Sequence, residues 1–287
     1  MKSPLVTIIC ICYNQANYVT EALRSVWNLK YVNIQLIIAD DASTDGSRDI
    51  IQKLVYDREV ELIFNQNNIG HCKTFNQALQ LARGEFVVDF AADDILLPNS
   101  INVGINRFSK LDKTYGVFYA DAELIGVYGE HINNHITARY FDSNVPEGNI
   151  YEHLLSRYFI NPPTMILRKT LLDELGGYNQ SLSYEDFDFW VRSSRITKYC
   201  YLPVITIKKR IHSKSVSFKQ YSYNSKMLVS TFEVCKIAFK LNKTKKEDKA
   251  LIKRITYETK MAISSFNLLI ATKLTILFVK VLFKNRS

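Results

Sequence analysis

Glycine and proline are both scarce, at 10 and 6 residues in a chain of 287, which excludes a linker-rich or fibrous protein. No two cysteines stand at C-x-x-C spacing, and their total of five is odd. Cys10, Cys12, Cys72, Cys200 and Cys235 therefore read as reduced core or surface thiols of a cytosolic protein. The common glycine-rich phosphate signatures are missing. No G-x-G-x-x-G follows the first apolar run and no G-x-x-x-x-G-K-[ST] occurs anywhere, which argues against a Rossmann dehydrogenase and a P-loop NTPase. The N-terminal stretch MKSPLVTIICICYN has no small-residue cleavage site and fits a first strand better than a signal peptide. Internal repeats and low-complexity segments are also lacking.

Against those absences, apolar residues make up 47% and charged residues 23%, an ordinary globular composition. Charge is unevenly placed. Residues 1–205 carry 18 basic and 24 acidic side chains, whereas residues 206–287 carry 19 and 4. Short apolar runs alternate with helical patterns in the first part: strands at Leu5 to Cys12, Ile34 to Ala39, Val60 to Phe64 and Glu85 to Phe90. The helices between them are expected over Asn17 to Trp27, Ser47 to Tyr56 and Cys72 to Ala82, the second with turn and N-cap chemistry from Ser43-Thr44-Asp45-Gly46. This alternation predicts an α/β fold with a mostly parallel sheet flanked by helices. Beyond residue 115 the pattern becomes irregular, with mixed short strands and loops to about residue 205. From Tyr223 onward it is helical.

Two of the expected strands end in paired aspartates, Asp40-Asp41 and Asp93-Asp94. Ligands of open parallel sheets sit outside the carboxyl ends of strands, and like charges there are costly unless a cation or hydrogen bonds meet them. Such residues also cap helices, but their recurrence at two strand ends favours a binding site. Hard carboxylate oxygens suit Mg²⁺ or Mn²⁺, which suit a diphosphate.

A resemblance to a known family rests on seven motifs in order. They are Val6-Thr7-Ile8-Ile9-Cys10-Ile11-Cys12-Tyr13-Asn14, Ile38-Ala39-Asp40-Asp41-Ala42-Ser43-Thr44-Asp45-Gly46-Ser47, and Asn68-Ile69-Gly70 with Asn76. Then come Ala82-Arg83-Gly84-Glu85-Phe86-Val87 leading into Ala92-Asp93-Asp94, Gly176-Gly177-Tyr178, Glu185-Asp186-Phe187-Asp188-Phe189-Trp190-Val191-Arg192, and Arg210-Ile211-His212. Over residues 4–218 the chain resembles the family-2 glycosyltransferases. The resemblance implies a GT-A catalytic domain over 1–218, with a nucleotide-sugar-binding half (1–115) and an acceptor-binding half (116–218), followed by a basic helical region over 219–287. It also implies an inverting enzyme of the hexosyl- or N-acetylhexosaminyltransferase class. That enzyme moves a sugar from a nucleotide diphosphate, a UDP-sugar by default, to a glycan or lipid-linked glycan in bacterial polysaccharide assembly.

Position by position, the resemblance assigns Asp41 to the nucleobase, with Ile11 to Tyr13 lining its pocket and Asn68 on the donor side. Asp93 falls near the ribose. Asp94, joined by His212, falls at a Mn²⁺ or Mg²⁺ ion bridging the diphosphate, and Asp186 at the base that deprotonates the acceptor hydroxyl. Two positions depart from the family pattern, Ile11 for a proline and Ala91 for the first aspartate of D-x-D-D. Asp188 rivals Asp186 as base, but its spacing to Arg192 suits an i,i+4 ion pair. His71, His131, His135 and His153 receive no role. A sugar nucleotidyltransferase would want a basic, glycine-rich loop where Cys12-Tyr13-Asn14-Gln15 stands; a catalytically silent binding subunit would not need Asp93, Asp94 and Asp186 together.

The C-terminal run Phe266 to Phe283 is rich in Leu, Ile, Val and Phe, with Lys273, Lys280 and Lys284 on one helical stripe. It suits a helix lying in an anionic membrane interface, which would place the protein at the inner face of the cell membrane. A helix packed on the catalytic domain or on a second copy in a homodimer fits the same pattern. Two lysines inside the run argue against a transmembrane span, and no nucleic-acid-binding motif is present.

Overall fold

The computed structural model describes residues 3–141, 144–212 and 220–284. Its first half has the expected alternation: β1 (Val6–Cys12), α1 (Val19–Trp27), β2 (Ile34–Asp40), α2 (Ser47–Leu54), β3 (Glu61–Phe64), α3 (His71–Leu79) and β4 (Phe86–Ala91). Every residue of β1 is buried, as the uninterrupted β-branched run requires of a strand covered on both faces. In α1 the residues Val19, Ala22, Leu23 and Val26 recur at helical spacing and form its inward side.

The chain continues through β5 (Ile95–Leu96), α4 (Ser100–Phe108), β6 (Tyr115–Ile125), β7 (His131–His135), α5 (Tyr151–Ser156), β8 (Ile166–Arg168), α6 (Lys169–Leu175), α7 (Asp186–Ser193) and β9 (Lys198–Arg210). Three helices follow, α8 (Lys226–Leu241), α9 (Lys245–Ser264) and α10 (Leu268–Leu282). All nine strands form one sheet in the order β3-β2-β1-β4-β8-β6-β9-β5, with β7 paired to β6. The β3-β2-β1-β4 block is parallel. Strand β8 runs antiparallel to β4 and β6, and β6 pairs in parallel with β9.

Strands β6 and β9 are long, at 11 and 13 residues, where the sequence indicated only short irregular pieces. Two features hide them. Register shifts interrupt their pairing around Ala120, Asp121 and Ala122. Asp121 also sits buried in mid-strand, accepting from the Tyr201 hydroxyl at 2.9 Å and the Thr137 N–H at 2.8 Å. A paired polar group of this kind breaks the apolar pattern without breaking the strand.

The chain divides into two compact units that do not follow chain order: Met1–Gly148, Ile160–Tyr178 and Thr197–Ile211 form the first, and Asn149–Phe159, Asn179–Ile196 and His212–Ser287 the second. The first holds the sheet. The second holds α5, α7 and the C-terminal helices, with α9 packed against α5, α8 and α10. Inside it Arg254, 2% exposed, pairs with fully buried Glu258 at 3.1 Å, donates to the Leu155 carbonyl and lies over the Tyr158 ring. The expected boundary at 218/219 lies outside the described residues. All five cysteines are free and buried.

Candidate active site

The register of the parallel block builds the site. Cys12 stands opposite Asp40, and Ile11 opposite both Ala39 and Ala91, so the chain beyond β1 emerges between the ends of β2 and β4. Tyr13, about half exposed, follows β1 directly, while Asp41 follows β2 on one side and the turn carrying Asp93 and Asp94 follows β4 on the other. Two strand spacings separate β2 from β4 by about 10 Å. Asn14, at φ +55°, turns the chain, and its N–H donates to Ser43 Oγ while its Oδ1 accepts from the Thr44 N–H. Asp45 ties the two loops further, accepting from the N–H groups of Ala16 and Ser47. Burial would raise the Asp45 carboxyl, but these donors and the Ser47 hydroxyl outweigh it and hold it below the usual range.

Asp41 is almost fully buried and well supplied with donors. Its Oδ1 accepts from the Ile69 N–H and Asn65 Nδ2, and its Oδ2 from the Gly70 N–H, each at 2.9 Å. Gly70 has φ +89°, a conformation that suits glycine. The carboxylate thus fixes the loop that carries Asn68, which is itself exposed. Asn65, which also donates to Thr74 Oγ1, is a site residue that motif reading missed. Its only signal was an asparagine directly after β3.

Asp94 is 3% exposed, and its Oδ1 accepts from the Arg210 N–H at 2.8 Å. Burial, and then the charge of neighbouring Asp93, push its carboxyl up to about 8, while Lys209 and Arg210 pull the other way. Arg210 was quoted as part of a motif without a role, and the structure shows what it does. Its buried guanidinium donates to the Asp93 carbonyl at 3.0 Å, the Gly126 carbonyl at 2.9 Å and Glu21 Oε2 at 2.6 Å, and lies over the Tyr18 ring. It pins the Asp93-Asp94 turn to α1 and to the β6–β7 connection. At Ala91 the backbone carbonyl accepts from the Asp94 N–H at 3.1 Å, so the turn forms without the family's first aspartate. The donor set suits a divalent cation: hard oxygens, one carboxylate buried beside another, and a proton affinity raised by burial and by the neighbouring Asp93 charge.

A third group of motif residues meets on the same unit. The Asn76 side chain brackets the Tyr178 backbone, accepting from its N–H at 2.9 Å and donating to its carbonyl at 2.8 Å. Gly177, at φ +74°, passes so close that any Cβ would collide with Asn76 Oδ1, which explains the glycine before Tyr178. The Tyr178 ring stacks on Phe75 at 4.2 Å and its hydroxyl donates to Asp89 Oδ2 at 3.0 Å. His71, to which the sequence assigned nothing, places Nε2 2.9 Å from that same oxygen.

Residues 7–176 match the family described as "Glycosyl transferase family 2". The chain belongs to glycosyl transferase family 2. Among proteins similar to this family-2 chain is an "Uncharacterized glycosyltransferase" of Rickettsia felis, 30% identical over 226 residues, or 77% of this chain and 36% of the relative. The chain thus spans little more than a third of that relative. A hyaluronan synthase of Pasteurella multocida is 25% identical over 78% of this chain and 22% of its own length. Among solved structures, S. aureus TarS 1–349 in complex with UDP-GlcNAc superposes with a TM-score of 0.71 at 17% identity, covering 96% of this chain and 79% of that one. The mannosyltransferase PcManGT of Pyrobaculum calidifontis, in complex with GDP-Man and Mn²⁺, gives 0.65 at 15% identity, covering 100% and 89%. At these identities the likeness establishes the fold, which is the expected GT-A fold.

In this family-2 chain the first unit gathers Ile11, Tyr13, Asp41, the Asn68 loop, Asp93 and Asp94. Asp186 and His212 belong to the second unit. Asp186 is the first residue of α7, where the helix's partial positive charge favours the anion. Asp188, 1% exposed, pairs with Arg192 Nε at 2.7 Å; burial raises its carboxyl and Arg192 draws it back. The i,i+4 pair expected there is present.

Proposed function

We propose that the chain transfers a sugar, with inversion, from a UDP-sugar to a hydroxyl of a glycan or lipid-linked glycan in bacterial polysaccharide assembly. The observation that carries the reading is the pair of acidic segments, Asp41 and Asp93-Asp94, that follow the two strands flanking β1 in a family-2 chain. UDP is favoured by the structural likeness to TarS with UDP-GlcNAc, and polymer assembly by the similarity to hyaluronan synthase.

In this reading Ile11 and Tyr13 wall the nucleobase pocket, with Asn68 on its rim. A carboxylate offers about four acceptor positions. Asp41 uses three of them internally, and the fourth, on Oδ2, takes a nucleobase N–H. Asp93 faces the ribose. Asp94 and His212 would hold Mn²⁺ or Mg²⁺, which when bound supplies positive charge against the leaving diphosphate. Asp186 accepts the proton of the acceptor hydroxyl as its oxygen bonds to the anomeric carbon. The bond from that carbon to the diphosphate breaks on the opposite face, which inverts the centre.

The test is donor hydrolysis by the purified chain against a panel of nucleotide sugars, with Mn²⁺, Mg²⁺ or EDTA. Metal-dependent release of UDP from one donor, reduced at least about 100-fold in Asp94→Ala, is the expected result. Release of pyrophosphate from a nucleoside triphosphate and a sugar phosphate would instead identify a nucleotidyltransferase. No turnover and no nucleotide binding by calorimetry would make the chain a silent binding subunit.

A further inference from the structure

The second unit carries a surface that the proposed reaction does not use. Helix α10 turns Ile270, Ala271, Leu274, Leu277 and Val281 inward, against α8 and α9. A helix that packs by one side ordinarily shows polar residues on the other. Here the outer side carries Leu268, Leu269, Ile276, Val279, Leu282 and Phe283, each 46–74% exposed. Phe266, 75% exposed at the turn from α9, and Ile263, 55% exposed on α9 itself, extend the apolar surface. Exposed Lys273 and Lys280, seven residues apart, line one flank of this stripe. Lys284 leaves it, donating to the Phe239 carbonyl at 2.7 Å.

Charge placement gives the second, independent observation. Residues 220–284 contain four acidic side chains, Glu233, Glu247, Asp248 and Glu258. The last three are buried and engaged inside, Glu247 with Arg195, Asp248 with Asn242 and Glu258 with Arg254. Lys245, Lys246, Lys249, Lys253 and Lys260 all remain exposed. Folding thus removes most of the anions from the surface and leaves the cations on it. The exterior of these helices is more uniformly positive than their composition.

We propose that the outer face of α10 docks the protein on an anionic phospholipid surface, with the helix lying in the plane of the interface. An outward apolar stripe, a lysine flank and helices whose exposed charges are mostly cationic match the three requirements of an interfacial helix: buried apolar area, cations level with the headgroups, and attraction to the leaflet. At 15 residues α10 extends about 22 Å along the surface. Among the described residues no helix is long and apolar enough to cross a membrane. A second copy paired antiparallel about a two-fold axis fits this face less well, since that arrangement puts both lysine flanks on the same side. The inference stands independently of the transferase reading.

The full chain is tested by co-sedimentation with vesicles of phosphatidylcholine alone and of phosphatidylcholine with phosphatidylglycerol, at low and high salt. Binding is expected only to the anionic vesicles, weakening as salt rises. It should fall about tenfold or more in Lys273→Glu/Lys280→Glu, and again in Leu269→Ser/Ile276→Ser/Val279→Ser. All five positions are exposed, so circular dichroism and melting temperature should match the wild type and exclude misfolding. Absence of sedimentation, or binding unchanged by both variants, overturns the proposal. A dimer in light scattering that the serine variant dissociates would assign the face to a second copy instead. Binding lost in the charge variant alone, and equally competed by RNA, would reduce the surface to a non-specific cation patch.

Discussion

Asp186 and Asp188 lie in the same first turn of α7, yet their surroundings divide their chemistry. Asp188 is buried and occupied by Arg192, whereas Asp186 opens the helix and is only half-buried. If Asp186 is the base, Asp186→Asn should lower kcat by about 10²–10⁴-fold with donor affinity and melting temperature nearly unchanged. Asp188→Asn should instead cost about 1–3 kcal/mol of stability, because a buried partner of Arg192 loses its charge. Single-turnover kinetics and thermal melts on both variants separate the two. Loss of activity at full stability in the Asp188 variant would transfer the base role to that residue. The i,i+4 spacing to Arg192 already set Asp188 apart in the sequence, and the buried pair at 2.7 Å shows the contact that spacing implied.

At the scale of elements, α9 begins with a complete capping box. Glu247 N–H donates to Thr244 Oγ1 at 3.2 Å, and Glu247 Oε2 accepts from the Thr244 N–H at 3.1 Å. Burial raises the Glu247 carboxyl, but the N–H groups of Lys243 and Thr244 and the Arg195 guanidinium lower it further, so its folded pKa lies below the ordinary 4.5. Its ionised form therefore adds stability that is complete above about pH 4.5 and is lost as pH falls through the depressed folded value. Glu247→Gln should destabilise the protein by about 1 kcal/mol at pH 7, and the gap should close toward pH 3. Urea titrations of both proteins across that range check this, and a gap independent of pH would show that the charge is not its source. The Thr-x-x-Glu spacing was present in the sequence but submerged in a stretch read only as helical. At α2 the reverse occurred: cap chemistry was expected from Ser43 to Gly46, but the N-cap position falls to Gly46 at φ +89°, which has no side chain to cap with, while Asp45 receives the Ser47 N–H.

Across the whole molecule, the second unit is assembled from three separate stretches of chain, and the Arg254–Glu258 pair lies where they meet. Glu258→Gln leaves the buried guanidinium without its anion and should cost about 3–5 kcal/mol. Arg254→Met combined with Glu258→Leu should recover most of that loss, because packing of similar volume replaces two desolvated charges. Urea denaturation of the wild type and both variants measures it. A double variant no more stable than the single one would mean that the pair contributes more than packing can replace.

The sequence alone determined the parallel block and the strand ends that carry Asp41, Asp93 and Asp94. Those features are local: strands buried on both faces read as continuous apolar runs, and the aspartates follow them directly in the chain. The tertiary structure decided the rest. Asn76 meets Tyr178, and Arg210 meets Asp93 and Glu21, across long stretches of chain that no spacing reports. The long strands β6 and β9 escaped notice because Asp121, a residue that argues against a strand, is satisfied by Tyr201 from the neighbouring strand. The cationic exterior of the last helices likewise depended on which acids fold inward, since composition counts charges while packing decides which of them meet solvent.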